Sequence, residues 1–292
     1  MHGKESRKLQ TAMEYLMTYG WAILIIAVVL VALFQMGVFN SANFAPKAQP
    51  GSCQVFKTVA ATSLEGTCNN ELPQYVAQFN GASSYISTRT VGLPLGSTAD
   101  SVLAWIYFTG GSSGYYTIHQ YGTGDVGTES RAILTHNNEL YFSGAGDDYQ
   151  FTLSIPLNTW VFVGYTYNGG NTIVGYVNGV SQSGTIGSQL NTVLPPSNPA
   201  VIGAINKVSG SQLFQFFQGS ISNVQIYNTS LSANDVAALY YEGIGGAPQN
   251  TQNLVGWWPL NGNANDYSGN NNNGAATNVI YTGSWTSGYS AP

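Results

Sequence analysis

The stretch "NTWVFVGYTYNGGNTIVGYVNG", residues 158–179, decides the fold. Its apolar and aromatic residues come in two short runs, each closed by Asn and Gly, the residues that best accept the backbone of a tight turn. Two short strands joined by turns follow from that pattern. The same alternation and punctuation recur in "YVAQFNG" (75–81), "SVLAWIYF" (101–108), "NELYFSG" (138–144) and "LFQFFQGSISNVQIYN" (213–228). Many short strands of this kind predict a two-sheet sandwich with one buried face per strand. Only "SANDVAALYYEG" (232–243) reads as a short helix, with Ser232 or Asn234 as its cap and Gly243 as its end.

Over residues 75–243 these strands resemble the concanavalin A-like jelly roll of laminin G-like domains. "YVAQFNGASSYI" is similar to the opening of such domains, "SVLAWIYF" to their Trp-containing strand, and the quoted stretch to their central Trp strand and hairpin. "FQGSISNVQIYNTSLSANDVAALY" is similar to their closing strand and helix. The resemblance implies an all-β head. Trp105 and Trp160 are expected in its packing, since aromatics dominate sandwich cores. One piece is out of order: "NLVGWWPLNGNANDYSGNNNNG" (253–274) resembles the segment with which these domains begin, yet it comes last. It could complete its own sandwich, be donated to a neighbouring subunit, or start a second repeat; an intrachain partner has the higher effective concentration. Residues 244–292 are thus expected to complete the sandwich. Domains of this family hold calcium at a loop edge, and Asp266 with Asn263, Asn265 and Asn270 offers oxygen ligands, though the same residues also suit a turn-rich loop.

Composition narrows the function. Of 292 residues, 7% are charged, where a soluble domain has about 25%, and no basic cluster points to nucleic acid. Residues 41–74 read as a linker containing Cys53 and Cys68. Outside the cell a disulfide is the simplest reading of that pair, two free thiols the alternative.

Ahead of the linker, residues 10–40 predict a long hydrophobic α-helix. "WAILIIAVVLVALF" (21–34) is unbroken, and with the residues before it reaches the roughly 20 needed to cross a bilayer. Lys4, Arg7 and Lys8 precede it, which keeps that end cytoplasmic and sends the remainder outward. A plain anchor leaves Glu14 unexplained. A cut between Leu9 and Gln10 would create an α-amino group that the Glu14 carboxylate of a neighbouring helix could neutralise. With "SRK" (6–8), the Gln-to-Glu spacing of "QTAMEY" (10–15) and the apolar helix, the segment resembles the class III signal peptide of archaeal type IV pilins and archaellins. That resemblance implies a leader over residues 1–9, a prepilin peptidase, membrane insertion before assembly, and related pilin subunits as partners. It also implies Glu14 as an assembly residue and an extracellular surface filament as the destination. The family usually has Gly where this chain has Leu9.

No catalytic set stands out. The jelly-roll glucanases carry paired acids at alternating positions of one strand, a motif absent here. Asp125 and Glu129 lie in a Gly-rich loop, Glu139 opens a strand, and Asp147 and Asp148 form a turn. His119 and His136 are single residues on or beside strands. Asn228-Thr229-Ser230 is the one N-glycosylation sequon. The chain is therefore expected to be a non-enzymatic filament subunit with a displayed jelly-roll head, or a membrane-anchored lectin or adhesin binding glycans.

Overall fold

The computed structural model describes residues 19–33, 72–111, 113–194, 199–207 and 212–292. The chain divides into two compact units, Met1–Lys47 and Ala48–Pro292. In the first, residues 19–33 form helix α1. The helix expected over residues 10–40 is described only across that span, and no helix among the described residues is long and apolar enough to cross a membrane.

Among the described residues, the second unit is all-β apart from one short α-helix and one 3-10 turn. Its strands are β1 (Val76–Asn80), β2 (Tyr85–Thr88), β3 (Asp100–Phe108), β4 (Tyr115–Gly122), β5 (Ser130–His136), β6 (Glu139–Ser143), β7 (Tyr149–Ser154), β8 (Trp160–Tyr167) and β9 (Thr172–Val177). There follow β10 (Val180–Thr185), β11 (Ala200–Ile202), β12 (Ile205–Lys207), β13 (Gln212–Phe214) and β14 (Gln218–Tyr227). Helix α2 (Ala233–Tyr241) then precedes β15 (Leu254–Trp258), β16 (Gly274–Thr277) and β17 (Ile280–Thr282). One sheet runs β10-β9-β8-β3-β14-β1-β17 with β15 also on β14; the other runs β16-β2-β11-β4-β5-β6-β7. Among the described residues every strand pairing in both sheets is antiparallel.

The stretch that opened the sequence is β8 and β9. Val161, Val163, Tyr165 and Tyr167 of β8 join the main core, while Trp160 and Phe162 enter a second cluster on the other face of the sheet. Gly164 is required by close approach, because a Cβ there would lie 2.2 Å from Leu103 Cδ2. Between β9 and β10 the two-residue loop is Asn178-Gly179, with φ of 48° and 78°, the left-handed pair that a tight hairpin demands.

The second cluster shows where Trp105 belongs. Both Trp105 and Trp160 are buried, and Trp105 packs against Tyr240 of α2 and against Tyr289, at centroid distances of 5.9 and 5.7 Å. The eight-stranded sheet thus carries apolar side chains on both faces. Helix α2 covers the outer one and starts at Ser232, whose side chain forms a capping box with Asp235.

The C-terminal residues contribute to both sheets from within the chain. β1 pairs with Gln218–Ile221 of β14, and β15 with the stretch of β14 that follows, Val224–Tyr227. β16 pairs with β2, and β17 with β1.

Inside the sandwich, a buried cluster ties the sheets together. Asp100 of β3 pairs with Arg131 of β5 and accepts hydrogen bonds from the hydroxyls of Tyr121 and Tyr165, at 3.0 and 2.8 Å. Arg131 also donates to Thr192 Oγ1 and to the Gly96 carbonyl. Burial raises the Asp100 carboxyl above its ordinary range, an effect that Arg131 and the two hydroxyls partly offset.

Candidate functional site

The outer face of the seven-stranded sheet carries a cavity of about 240 Å³, bordered by β4, β5, β6, Ile205 of β12 and Gln215 just past β13. Register brings its aromatic groups together: Tyr115 lies opposite His136, and Leu134 opposite Tyr141. The Tyr115 and His136 rings stack at 3.9 Å with an interplanar angle of 2°, and the Tyr141 ring meets both nearly edge-on. One face of Tyr115 is covered by His136, and with the residue 40% exposed, part of its aromatic surface opens to solvent.

Polar groups hold that platform in place. Gln150 Nε2 donates to Glu139 Oε2 at 2.7 Å, so its Oε1 is left to accept from His136 Nδ1 at 3.0 Å. In this contact Nδ1 of the imidazole is the donor. Asp148 accepts four hydrogen bonds, from the Tyr141 hydroxyl, Ser143 Oγ and the backbone N–H groups of Gly144 and Gly146. Burial first, and then Asp148, raises the Tyr141 phenol above its ordinary value, so it stays protonated and points its hydrogen at the carboxylate. Asp125 is exposed at the rim.

Such an arrangement suits binding. The aromatic face can take the C–H surface of a sugar ring, while the Gln215 amide and the hydroxyls of Tyr141 and Ser143 around it serve hydroxyls. The acidic rim disfavours anionic ligands.

The sequence-predicted residues fall elsewhere. Asn263, Asn265, Asp266 and Asn270 do share one loop, but that loop satisfies itself. Asp266 accepts from Trp257 N and Ser268 N on Oδ1, and from Ser268 Oγ and Asn272 N on Oδ2. Those four bonds fill the lone-pair positions of a carboxylate. Asn263 Oδ1 accepts from Asn265 N, and Asn270 Nδ2 donates to the Val255 carbonyl. In this arrangement the loop's own donors occupy the Asp266 oxygens, and no group of three or more acidic, His or Cys ligands gathers among the described residues. Asn228 is exposed just past β14. His119 is buried in the sandwich, 6.3 Å from Trp258, with neither ring nitrogen hydrogen-bonded among the described residues. Leu9, Gln10, Glu14, Cys53 and Cys68 lie outside the described residues. Tyr115 and Tyr141 carried no functional signal in the sequence; only the register of β4, β5 and β6 reveals the platform.

The two antiparallel sheets define an all-β jelly-roll sandwich. The chain belongs to the concanavalin A-like lectin/glucanases superfamily, whose Laminin_G_3 model matches residues 80–237. No curated protein matches it by sequence. Among solved structures it is similar to a proposed carbohydrate-binding protein from Bacteroides ovatus, with 18% identity, a TM-score of 0.55, and coverage of 80% of this chain and 70% of that one. It is also similar to a pentraxin from Limulus polyphemus, with 15% identity, a TM-score of 0.49, and coverage of 71% of this chain and 94% of that one. A carbohydrate-binding module of a Ruminococcus gnavus sialidase shows 12% identity and a TM-score of 0.44, covering 56% of this chain and 96% of that one.

Proposed function

We propose that this protein is a surface lectin whose head binds glycans, without hydrolysing them, on the Tyr115 platform. The observation that carries the reading is the exposed Tyr115 ring, stacked on His136 and flanked by Tyr141 and Asp148. Hydrolysis needs a pair of carboxyl groups flanking the scissile bond; of the two acids at the cavity, Asp148 is bound by four donors, and Asp125 by itself makes no pair. A glycan array probed with the full chain and with Tyr115→Ala tests this. The wild-type chain should retain uncharged glycans, and loss of the ring should weaken binding about tenfold, the effect of roughly 1.4 kcal/mol. Equal retention by the two proteins would refute the platform.

Display at the cell surface is the second part of the proposal. Its support is the N-terminal sequence together with α1, whose apolar side chains from Trp21 to Val31 include many exposed at 49–66%. Such a surface calls for lipid or partner helices. A prepilin route, with processing before Gln10, related pilin subunits as partners and Glu14 in assembly, is the filament form of this display. N-terminal sequencing of sheared surface material separates the two forms: a start at Gln10 supports the filament, and a start at Met1 in membranes alone supports a simple anchor.

A further inference from the structure

We infer a second saccharide site, for uncharged sugar chains, on the outer face of the eight-stranded sheet. A cavity of about 500 Å³ lies there between β1, β3, β14 and the C-terminal segment. That volume falls within the roughly 300–1,000 Å³ of small-molecule sites. None of the residues around it is charged. Phosphate or carboxylate recognition would call for Arg or Lys, which this cavity lacks.

Its chemistry is amide, hydroxyl and aromatic. Gln78 and Asn80 of β1 point outward, opposite Ser220 and Gln218 of β14. Asn80 spends its side-chain oxygen on the backbone of the following turn, whereas the amides of Gln78 and Gln218 are exposed and make no hydrogen bond among the described residues. Each offers a donor and an acceptor side by side, which matches a pair of neighbouring sugar hydroxyls. Tyr107 supplies a half-buried ring, braced by Trp160 at a centroid distance of 5.8 Å. Trp160 in turn donates from Nε1 to the Trp285 carbonyl, which fixes the C-terminal wall.

The backbone beside the cavity is committed. β1 is paired on both edges, to β14 and to β17, so the strand that carries Gln78 and Asn80 has no edge free to capture a peptide by strand addition. The outward side chains of β1 and β14 read the ligand. The site shares a ligand class with the Tyr115 platform but none of its lining residues.

The test is isothermal titration of the full chain with uncharged hexasaccharides of β-1,3-glucose, β-1,4-glucose and β-1,4-mannose. It compares wild type, Tyr115→Ala and Gln78→Ala/Gln218→Ala; the last two residues are exposed, so both proteins should fold. In the Tyr115→Ala protein one equivalent of a hexasaccharide should still bind, and adding Gln78→Ala/Gln218→Ala should weaken it on the order of tenfold. Failure of every hexasaccharide to bind Tyr115→Ala would overturn this site, as would unchanged binding by the glutamine variants. An effect of the glutamine variants without any effect of Tyr115→Ala would instead overturn the platform and leave this site standing.

Discussion

At the scale of single residues, Arg131 shows what a buried charge asks of its surroundings. Asp100 answers its charge, while Thr192 and the Gly96 carbonyl accept two further N–H groups. Replacing Arg131 with Met leaves the Asp100 carboxyl in the core with two tyrosine hydroxyls alone. The expected loss is about 3–5 kcal/mol in a denaturant titration, and Asp100→Leu in the same chain should recover a large part of it. His119 has no such partner among the described residues. Burial lowers its pKa from 6.5 to about 3, so between those values the unfolded chain binds a proton that the folded chain refuses. Stability from this group is therefore full above pH 6.5 and falls as the solution is acidified. Between pH 6.5 and about 5 the loss should be about 2 kcal/mol, and His119→Leu should flatten that part of the stability–pH curve.

At the scale of elements, the loop of residues 263–273 is organised around the four hydrogen bonds that Asp266 accepts. Asp266→Ala strips the partners from Trp257 N and Asn272 N, each costing about 1–3 kcal/mol where water cannot replace the bond. The melting temperature should drop in that variant, and millimolar calcium should raise it in neither protein; a calcium-dependent rise in the wild type would contradict the assignment. Some elements were legible in sequence. The β8–β9 region showed its strands and the Asn-Gly turn, and α2 showed its Ser232 cap. The strands that carry the platform were harder to see. β4 is buried on both faces over most of its length and is broken by a register shift between Thr117 and His119, which hides its alternation. β5 is likewise buried almost throughout, because Ala132 and Leu134 pack under Ile205 on the outer face while Ile133 faces the core. With those two strands unread, Tyr115 and His136 could not be placed side by side.

At the scale of the whole head, chain order and spatial order differ. Strands from the last forty residues sit beside β1, β2 and β14, so both sheets need the C-terminus. Both proposed saccharide surfaces depend on that closure to different degrees: the platform lies on β4 to β6, whereas Trp285 walls the second cavity. The central claim is that the Tyr115 face holds a glycan. Its most direct test is a crystal structure of the protein with the uncharged glycan best retained on the array. In that structure a sugar ring should lie flat on Tyr115, with hydroxyls toward Gln215 and the Tyr141 and Ser143 hydroxyls. A glycan bound elsewhere, with the Tyr115 ring left open to solvent, would contradict it.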